Sequence, residues 1–231
     1  MKFESNATAI LVHGAWADGS SWSNVILPLE RAGLRVIAAP IPLTSLSDDV
    51  AAINRILART SGPVLLAGHA YAGAVIASVN SERVHGLVYI AALAPEEGET
   101  VAKVFYKDEP HPQAPKLSPD ADGFIWMPDE GFQNAFAQNA SKEQIALCKA
   151  TQRPISAKCI QQPAPKPLWK SRPAWFLIAE EDRMINPKTQ HFMANRMKAT
   201  VSAQKVDHTP LLTAPKAVTE FILAAAKPTM V

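Results

Sequence analysis

The residues best suited to catalysis lie in short loops that are far apart in the sequence. The first loop, GHAYAG from Gly68 to Gly73, separates the apolar run 64–67 from a helix of small residues. A strand, a tight turn of small residues and a helix form the nucleophile elbow G-x-S-x-G, which aims its central serine at a substrate. Ala72 replaces the second glycine, and Ala70 occupies the nucleophile position. The chain therefore has the pattern of an elbow without its nucleophile, because a methyl group cannot attack a substrate.

Alanine at position 70 has two explanations. Replacement of serine by alanine is the usual way to inactivate such a site without disturbing the turn, for example to trap an intact substrate. The alternative is a natural alanine in a protein that never had a nucleophile here. We favour the replaced serine as the working hypothesis.

An acid and a base follow two later strand candidates. Asp182 comes soon after the apolar run 174–179, and His208 follows the run 200–206. Loops at the carboxyl ends of parallel strands open at the same edge of a sheet. A histidine there can take a serine's proton, while a carboxylate fixes the imidazole tautomer and stabilises its cation. The sequence predicts that Asp182 and His208 converge on position 70.

Other ionisable residues near these loops have simpler interpretations. Glu180 and Glu181 are alternative candidates for the acid, and Asp207 is predicted to stabilise the loop that carries His208. Four further histidines have no partner in the sequence pattern and are interpreted as surface or turn residues: His69, His85, His111 and His191.

A fourth loop could supply hydrogen-bond donors. His13-Gly14-Ala15-Trp16 follows the strand candidate 8–12. Acyl transfer needs N–H donors at the developing oxyanion, and removing one donor typically costs about 10²–10³ in rate. The backbone amides of Ala15 and Tyr71 are the predicted donors. Both amides survive a change of serine to alanine, so an inactive protein could still bind its substrate.

Four segments, LVHGAW, GHAYAG, AEEDRMINP and DHTPLL, resemble the signatures of a small α/β-hydrolase of the plant esterase and hydroxynitrile lyase type. The resemblance covers most of the chain and is weakest in the middle. It implies a Ser-His-Asp triad at positions 70, 208 and 182, an oxyanion hole from Ala15 and Tyr71, a cap over the pocket, and no metal or organic cofactor. Hydroxynitrile lyases of this type have lysine after the catalytic histidine. Thr209 stands there, which argues against cyanohydrin cleavage.

Alternating strand and helix patterns predict an α/β protein with an open, mostly parallel sheet and helices on both faces. We expect about six strands, because the sequence starts at what would be the family's third strand. The predicted strands are 8–12, 35–39, 64–67, 84–91, 174–179 and 200–206. The predicted helices are 21–32, 48–60 after Ser47 as N-cap, 187–197 and 215–226.

The alternation is lost between Pro95 and Arg172, which is too long for a plain connection. We expect an α/β-hydrolase core from 1–94 and 173–231, with 95–172 inserted as a helical cap that contains a helix at 141–151. Aromatic residues in the cap are expected to form a cluster with the core, and some of them to line a pocket. Three aromatic residues are predicted to contact the substrate: Trp16, Phe124 and Trp126.

Composition excludes several classes of protein. The net charge is +2, with 48% hydrophobic and 19% charged residues, which does not suggest binding to nucleic acid or an anionic membrane. No run of eighteen apolar residues predicts a membrane span. Cys148 and Cys159 match no metal motif, and the first strand candidate leaves no room for a signal peptide. We expect a cytoplasmic monomer or homodimer.

Three functions remain open from the sequence. The first is a serine hydrolase that cleaves a small, partly apolar ester, carbamate or lactone through an acyl-enzyme. The second is a cofactor-independent dioxygenase on the same fold, which would use the His–Asp pair without a serine. The third is a receptor that keeps the pocket and binds a ligand without turnover.

Overall fold

A six-stranded parallel sheet runs through the centre of the protein, as a computed structural model shows for residues 3–4 and 6–230. The eight strands of the structure are β1 (Thr8–Val12), β2 (Arg35–Ala39), β3 (Val64–His69), β4 (Val84–Ile90), β5 (Phe124–Ile125), β6 (Ile155–Ser156), β7 (Ala174–Ala179) and β8 (Thr200–Gln204). The central sheet has the order β2-β1-β3-β4-β7-β8, and all of its pairings are parallel. The predicted sheet of six strands is confirmed.

Helices cover both faces of this sheet. They are α1 (Ser23–Arg31), α2 (Leu46–Leu57), α3 (Ala72–Ala77), α4 (Val101–Phe105), α5 (Asp129–Gly131), α6 (Lys142–Thr151), α7 (Ala157–Gln161), α8 (Pro187–Arg196), α9 (Pro210–Thr213) and α10 (Pro215–Thr229). In the described part of the chain, none of these helices combines the length and the apolar character needed to cross a membrane.

The core consists of two apolar clusters, one on each face of the sheet. Ile10 and Val12 of β1 belong to the cluster under α2 and α3, whereas Ala9 and Leu11 pack with α1 and α10. Successive side chains of a strand point to opposite faces, so a strand that is buried on both sides has to be apolar throughout. The uninterrupted apolar runs of the sequence therefore mark the central strands.

Several helix and strand boundaries differ from the predictions. Helix α2 begins at Leu46 after Ser45, whose Oγ accepts a hydrogen bond from the Asp48 amide at 3.1 Å. The prediction of Ser47 as N-cap was wrong, because Ser45 has the extended backbone that a cap requires and Ser47 lies within the helix. Strand β3 continues to His69, and β8 ends at Gln204.

The segment 95–172 contains short elements that lie against the carboxyl edge of the central sheet. Besides α4 to α7, it includes an antiparallel pairing of β5 with β6 and a π-helical turn at Phe132–Phe136. Helix α6 starts with the predicted cap, Ser141, in a reciprocal capping box with Gln144. Trp16 connects the segment to the core: its amide donates to the Arg153 carbonyl at 3.0 Å, and its indole N–H donates to the Ile125 carbonyl at 2.9 Å.

Candidate active site

The turn after β3 has the geometry of a nucleophile elbow. Ala70 adopts φ +51°, which is an unfavourable conformation for a residue with a side chain. Neighbouring backbone groups hold this conformation: the Ala70 amide donates to the Ile90 carbonyl at 3.2 Å, and the Ala70 carbonyl accepts from the amides of Gly73 and Leu93. The sharp turn places the Cβ of residue 70 in the wall of a cavity.

Two glycines allow the helix after this turn to approach the sheet closely. A Cβ at Gly73 would lie 2.4 Å from the Leu93 carbonyl oxygen, and one at Gly68 would lie 2.8 Å from the Ala72 carbonyl oxygen. No side chain fits at these distances. The close contacts between the helix and the sheet lie at Gly68 and Gly73. The methyl group of Ala72 is therefore accommodated.

The predicted acid and base are in direct contact. The Nδ1 of His208 lies 2.8 Å from the Oδ2 of Asp182, and both side chains are buried. The Oδ1 of Asp182 accepts hydrogen bonds from the amides of Met184 at 2.7 Å and Ile185 at 2.9 Å. A carboxylate in this position fixes the proton on Nδ1 and leaves Nε2 of His208 able to accept a proton.

Gln190 on α8 also holds Asp182, and the sequence analysis missed it. Its Nε2 donates to the Oδ2 of Asp182 at 2.8 Å, while its Oε1 accepts from the Ala179 amide at 3.0 Å. Helical spacing offered a signal, because Gln190 lies three and four residues before the buried Met193 and Ala194. A polar residue on the buried face of a helix needs a partner in the interior.

His69 lies behind the His208–Asp182 pair rather than at the surface. Its Nε2 donates to the backbone carbonyl of His208 at 2.7 Å, which assigns the proton to Nε2. Burial lowers the pKa of His69 to about 3, so the ring is neutral. Phe136 packs on both rings, with centroid distances of 5.5 Å to His208 and 6.4 Å to His69. His69 therefore orients the loop of His208 and supplies no charge to it.

The remaining ionisable candidates lie elsewhere. Glu180 accepts from His191 at 2.8 Å near the surface. Asp207 accepts from the Asn139 amide at 3.0 Å and from the Thr213 hydroxyl at 2.5 Å, contacts that hold its loop. Glu181, His85 and His111 are exposed. Within the described residues, no group of three His, Cys, Asp or Glu side chains is arranged to hold a metal ion.

The loop after β1 lies directly against residue 70. His13 stabilises it, because its Nδ1 donates to the Gly14 carbonyl at 2.9 Å and its Nε2 accepts from the Ile41 amide at 3.4 Å. Burial lowers the pKa of His13 and keeps the ring neutral. A Cβ at Gly14 would lie 3.0 Å from the Ala70 Cβ. In the described part of the chain, neither the Ala15 nor the Tyr71 amide donates a hydrogen bond to a protein acceptor.

One cavity brings most of the predicted site residues together. Its empty volume is about 600 Å³, part of which is open to solvent. The predicted residues in its wall are Ala15, Trp16, Ala70, Tyr71 and His208. Apolar side chains of the segment 95–172 complete it: Val101, Ala102, Phe105, Leu117, Ile125, Ile155 and Ile160, with Tyr106 at its edge. Among the described residues, no Asp, Glu, Lys or Arg side chain lines it, and His208 is its one titratable polar group besides the tyrosines.

Two predicted contact residues, Phe124 and Trp126, do not line this cavity. Trp126 is 51% exposed, and its indole N–H donates to the Oδ2 of Asp120 at 3.1 Å. Ile125, between them, faces the cavity instead. Side chains in an extended segment alternate between its two sides, so the inward position of Ile125 turns both aromatic neighbours away.

Comparisons with known proteins show matches to hydrolases. The model of the alpha/beta hydrolase family matches residues 9–221. A carbendazim hydrolyzing esterase from Nocardioides sp. (strain SG-4G) is 30% identical over 121 residues, which cover 45% of this chain and 49% of that protein. The match thus spans about half the length of this relative.

Solved structures share the fold at low sequence identity. A pyrethroid hydrolase from Sphingobium faniae JZ-2 superposes with a TM-score of 0.84 at 23% identity, over 96% of this chain and 97% of that chain. Polyneuridine aldehyde esterase gives a TM-score of 0.83 at 18% identity, over 95% and 99%. The family match over most of the chain, together with these shared folds, shows that the protein belongs to the alpha/beta hydrolase family.

Proposed function

We propose that this chain is a carboxylic ester hydrolase whose nucleophile position, residue 70, is occupied by alanine. The observation that carries the proposal is the cavity whose wall contains both Ala70 and His208, with His208 hydrogen-bonded to Asp182 at 2.8 Å. Relatives named as esterases and hydrolases support the same class of reaction.

When serine occupies position 70, each residue of the site would have a distinct role in ester hydrolysis. Nε2 of His208 takes the hydroxyl proton as the serine oxygen attacks the ester carbonyl, and Asp182 stabilises the resulting imidazolium. The amides of Ala15 and Tyr71 donate to the oxyanion. His208 then gives the proton to the departing alcohol, and it later activates the water molecule that releases the acyl group.

With alanine at position 70 no acyl-enzyme can form, yet the parts that bind substrate remain. The cavity, both amides and the His208–Asp182 pair are present in the structure. We therefore infer that Ala70 replaces a serine and that the chain, as it stands, binds its ester without cleaving it.

The lining of the cavity supports one class of substrate. Because no Asp, Glu, Lys or Arg of the described residues lines it, a charged substrate group would lose its hydration without gaining an oppositely charged partner. The favoured substrates are small, uncharged esters, carbamates or lactones whose acyl part is apolar.

The test restores the nucleophile by Ala70→Ser and assays p-nitrophenyl esters. We expect hydrolysis at least about 10³–10⁴-fold above that of the parent chain, because catalysis by the triad acts as a unit. The matched control is the double variant Ala70→Ser, His208→Ala, which should return to the parent level. Equal rates for Ala70→Ser and the parent would reject the proposal.

A second candidate is favoured by the His208–Asp182 pair, which is complete without a serine. A cofactor-independent dioxygenase could use this pair to remove a substrate proton. Oxygen uptake by the parent chain with a hydroxyquinolone-type substrate would support it. No uptake, together with ester hydrolysis by Ala70→Ser, would leave the hydrolase.

A further inference from the structure

Asp49 on α2 is a buried carboxylate that the proposed mechanism does not use. It is fully buried, and within the described residues it forms no ion pair with lysine, arginine or histidine. In the sequence, Asp49 is one of two acidic residues at the start of the helix predicted at 48–60. Its spacing of three from Leu46 and four from Ile53, both buried, instead places it on the apolar face of α2.

Three donors from three separate segments satisfy this carboxylate. Its Oδ1 accepts from the Leu43 amide at 2.7 Å, in the loop before α2. Its Oδ2 accepts from the Tyr71 hydroxyl at 2.7 Å and from the Cys159 thiol at 3.7 Å. Tyr71 belongs to the elbow and Cys159 to α7 of the segment 95–172, so Asp49 connects the two.

Burying a carboxylate costs free energy when no cation pairs with it. The hydrogen bonds to Asp49 therefore have to offset that cost. Burial raises the pKa of Asp49 to about 6, while the hydrogen bonds from Tyr71 and the Leu43 amide oppose that rise. The charged and titratable groups around it are Asp48, Tyr71 and Cys159. Burial and the nearby Asp49 also raise the pKa of the Tyr71 hydroxyl, which therefore stays protonated and donates.

We propose that Asp49 is a positioning residue that holds the oxyanion-binding amide of Tyr71 in place through the Tyr71 hydroxyl. Its role in catalysis rests on the proposed function. Tyr71 lies at the start of α3, a helix of six residues with no side-chain cap at that end. The tether to Asp49 fixes the far end of the Tyr71 side chain, so it limits rotation of the residue that carries the amide.

The contact with Cys159 extends this role to the cavity wall. Cys159 is fully buried, and its neighbour Ile160 lines the cavity. One carboxylate thus fixes both an oxyanion donor and the helix that closes the pocket. A thiol at 3.7 Å is a weak donor, so we assign most of the positioning to Tyr71.

The first test needs no catalysis and uses the chain with Ala70. The variants are Tyr71→Phe and Asp49→Asn, and the readout is the NMR order parameter of the residue-71 amide. We expect it to fall from about 0.85, typical of rigid backbone, towards about 0.6. The matched control is Tyr89→Phe, because Tyr89 is fully buried and its hydroxyl has no partner in the described residues. A rigid amide in Tyr71→Phe would reject the proposal, even if Asp49→Asn failed to fold.

The second test measures kinetics in the Ala70→Ser background. Tyr71→Phe should lower kcat about 10-fold with less than a twofold change in KM, since the oxyanion donor acts mainly in the transition state. Adding Asp49→Asn should cause little further loss, because Tyr71→Phe has already removed the hydroxyl through which Asp49 acts on residue 71. Tyr89→Phe should leave kcat unchanged. Equal effects of Tyr71→Phe and Tyr89→Phe would reject a positioning role.

The two tests separate the two proposals. An inactive Ala70→Ser chain would reject the ester hydrolase, while the order parameters would still decide whether Asp49 positions Tyr71. An active Ala70→Ser chain with an unaffected Tyr71→Phe variant would reject the role of Asp49 alone.

Discussion

At the scale of single residues, Asp182 is the most constrained group of the site. Its two oxygens receive four hydrogen bonds, from the amides of Met184 and Ile185 and the side chains of Gln190 and His208. Four is close to the full accepting capacity of a carboxylate. The carboxylate therefore has one orientation, and it fixes the imidazole of His208 with it.

This arrangement gives a prediction for Asp182→Asn in the Ala70→Ser background. The new amide can present an N–H to Nδ1 of His208, which would favour the wrong tautomer, so kcat should fall about 10⁴-fold. Steady-state assays with a p-nitrophenyl ester measure this loss. The control is Glu180→Gln, two residues away and near the surface, which should keep full activity. A loss below about tenfold in Asp182→Asn would contradict the assigned role.

At the scale of elements, the start of α2 shows what local sequence could not decide. Ser45 and Ser47 are equally good capping residues by type, and the sequence analysis predicted Ser47. The structure selects Ser45, because burial of Leu46 and Asp49 on one face of α2 sets where the helix begins. Packing of the buried face determined the boundary.

The two serines provide a matched pair for a stability measurement. Ser45→Ala should lower the free energy of unfolding by about 1 kcal/mol, because the Asp48 amide loses its acceptor. Ser47→Ala should change it by less than about 0.5 kcal/mol, as expected for a substitution that removes no cap. Urea unfolding followed by circular dichroism would compare them. Equal losses of unfolding free energy in the two variants would contradict the assignment of Ser45 as the N-cap.

At the scale of the whole molecule, two buried groups affect stability in opposite directions as the pH changes. His69 has its pKa lowered to about 3 from 6.5, so the unfolded chain binds its proton first as the pH falls. The stability that neutral His69 contributes is present above pH 6.5 and is lost towards pH 3. Asp49, with its pKa raised from 3.8 to about 6, opposes this below pH 6, because the folded chain binds its proton first.

The variant His69→Gln removes one of these two effects. Between pH 7.5 and 4.5, the free energy of unfolding of the parent should fall by roughly 2–3 kcal/mol more than that of His69→Gln. The reason is that the histidine becomes protonated in the unfolded chain but stays neutral in the folded chain. Urea unfolding at the two pH values measures the difference. His111→Gln, at an exposed position, is the control and should follow the parent. Parallel pH dependence in all three chains would contradict a lowered pKa for folded His69, because it would mean that the residue takes up its proton at the same pH in the folded and unfolded chains.

The sequence by itself determined the sheet and the chain order of the loops that carry chemistry. Both depend on short stretches of sequence, because an uninterrupted apolar run specifies a strand buried on both faces and small residues specify a tight turn. Ala70 and Asp182 follow two such strands, β3 and β7, whereas His208 follows the partly exposed edge strand β8. All three positions could therefore be predicted from short segments.

Only the tertiary structure decided which side chains support those three positions. Gln190 beside Asp182, His69 behind His208 and Asp49 behind Tyr71 all depend on which face of one element meets another. The same holds for Ile125, which lines the cavity in place of Phe124 and Trp126. These hydrogen bonds join residues that are 8, 139 and 22 positions apart. The sequence pattern can mark a polar residue on a buried helix face, but packing in three dimensions decides which partner it contacts.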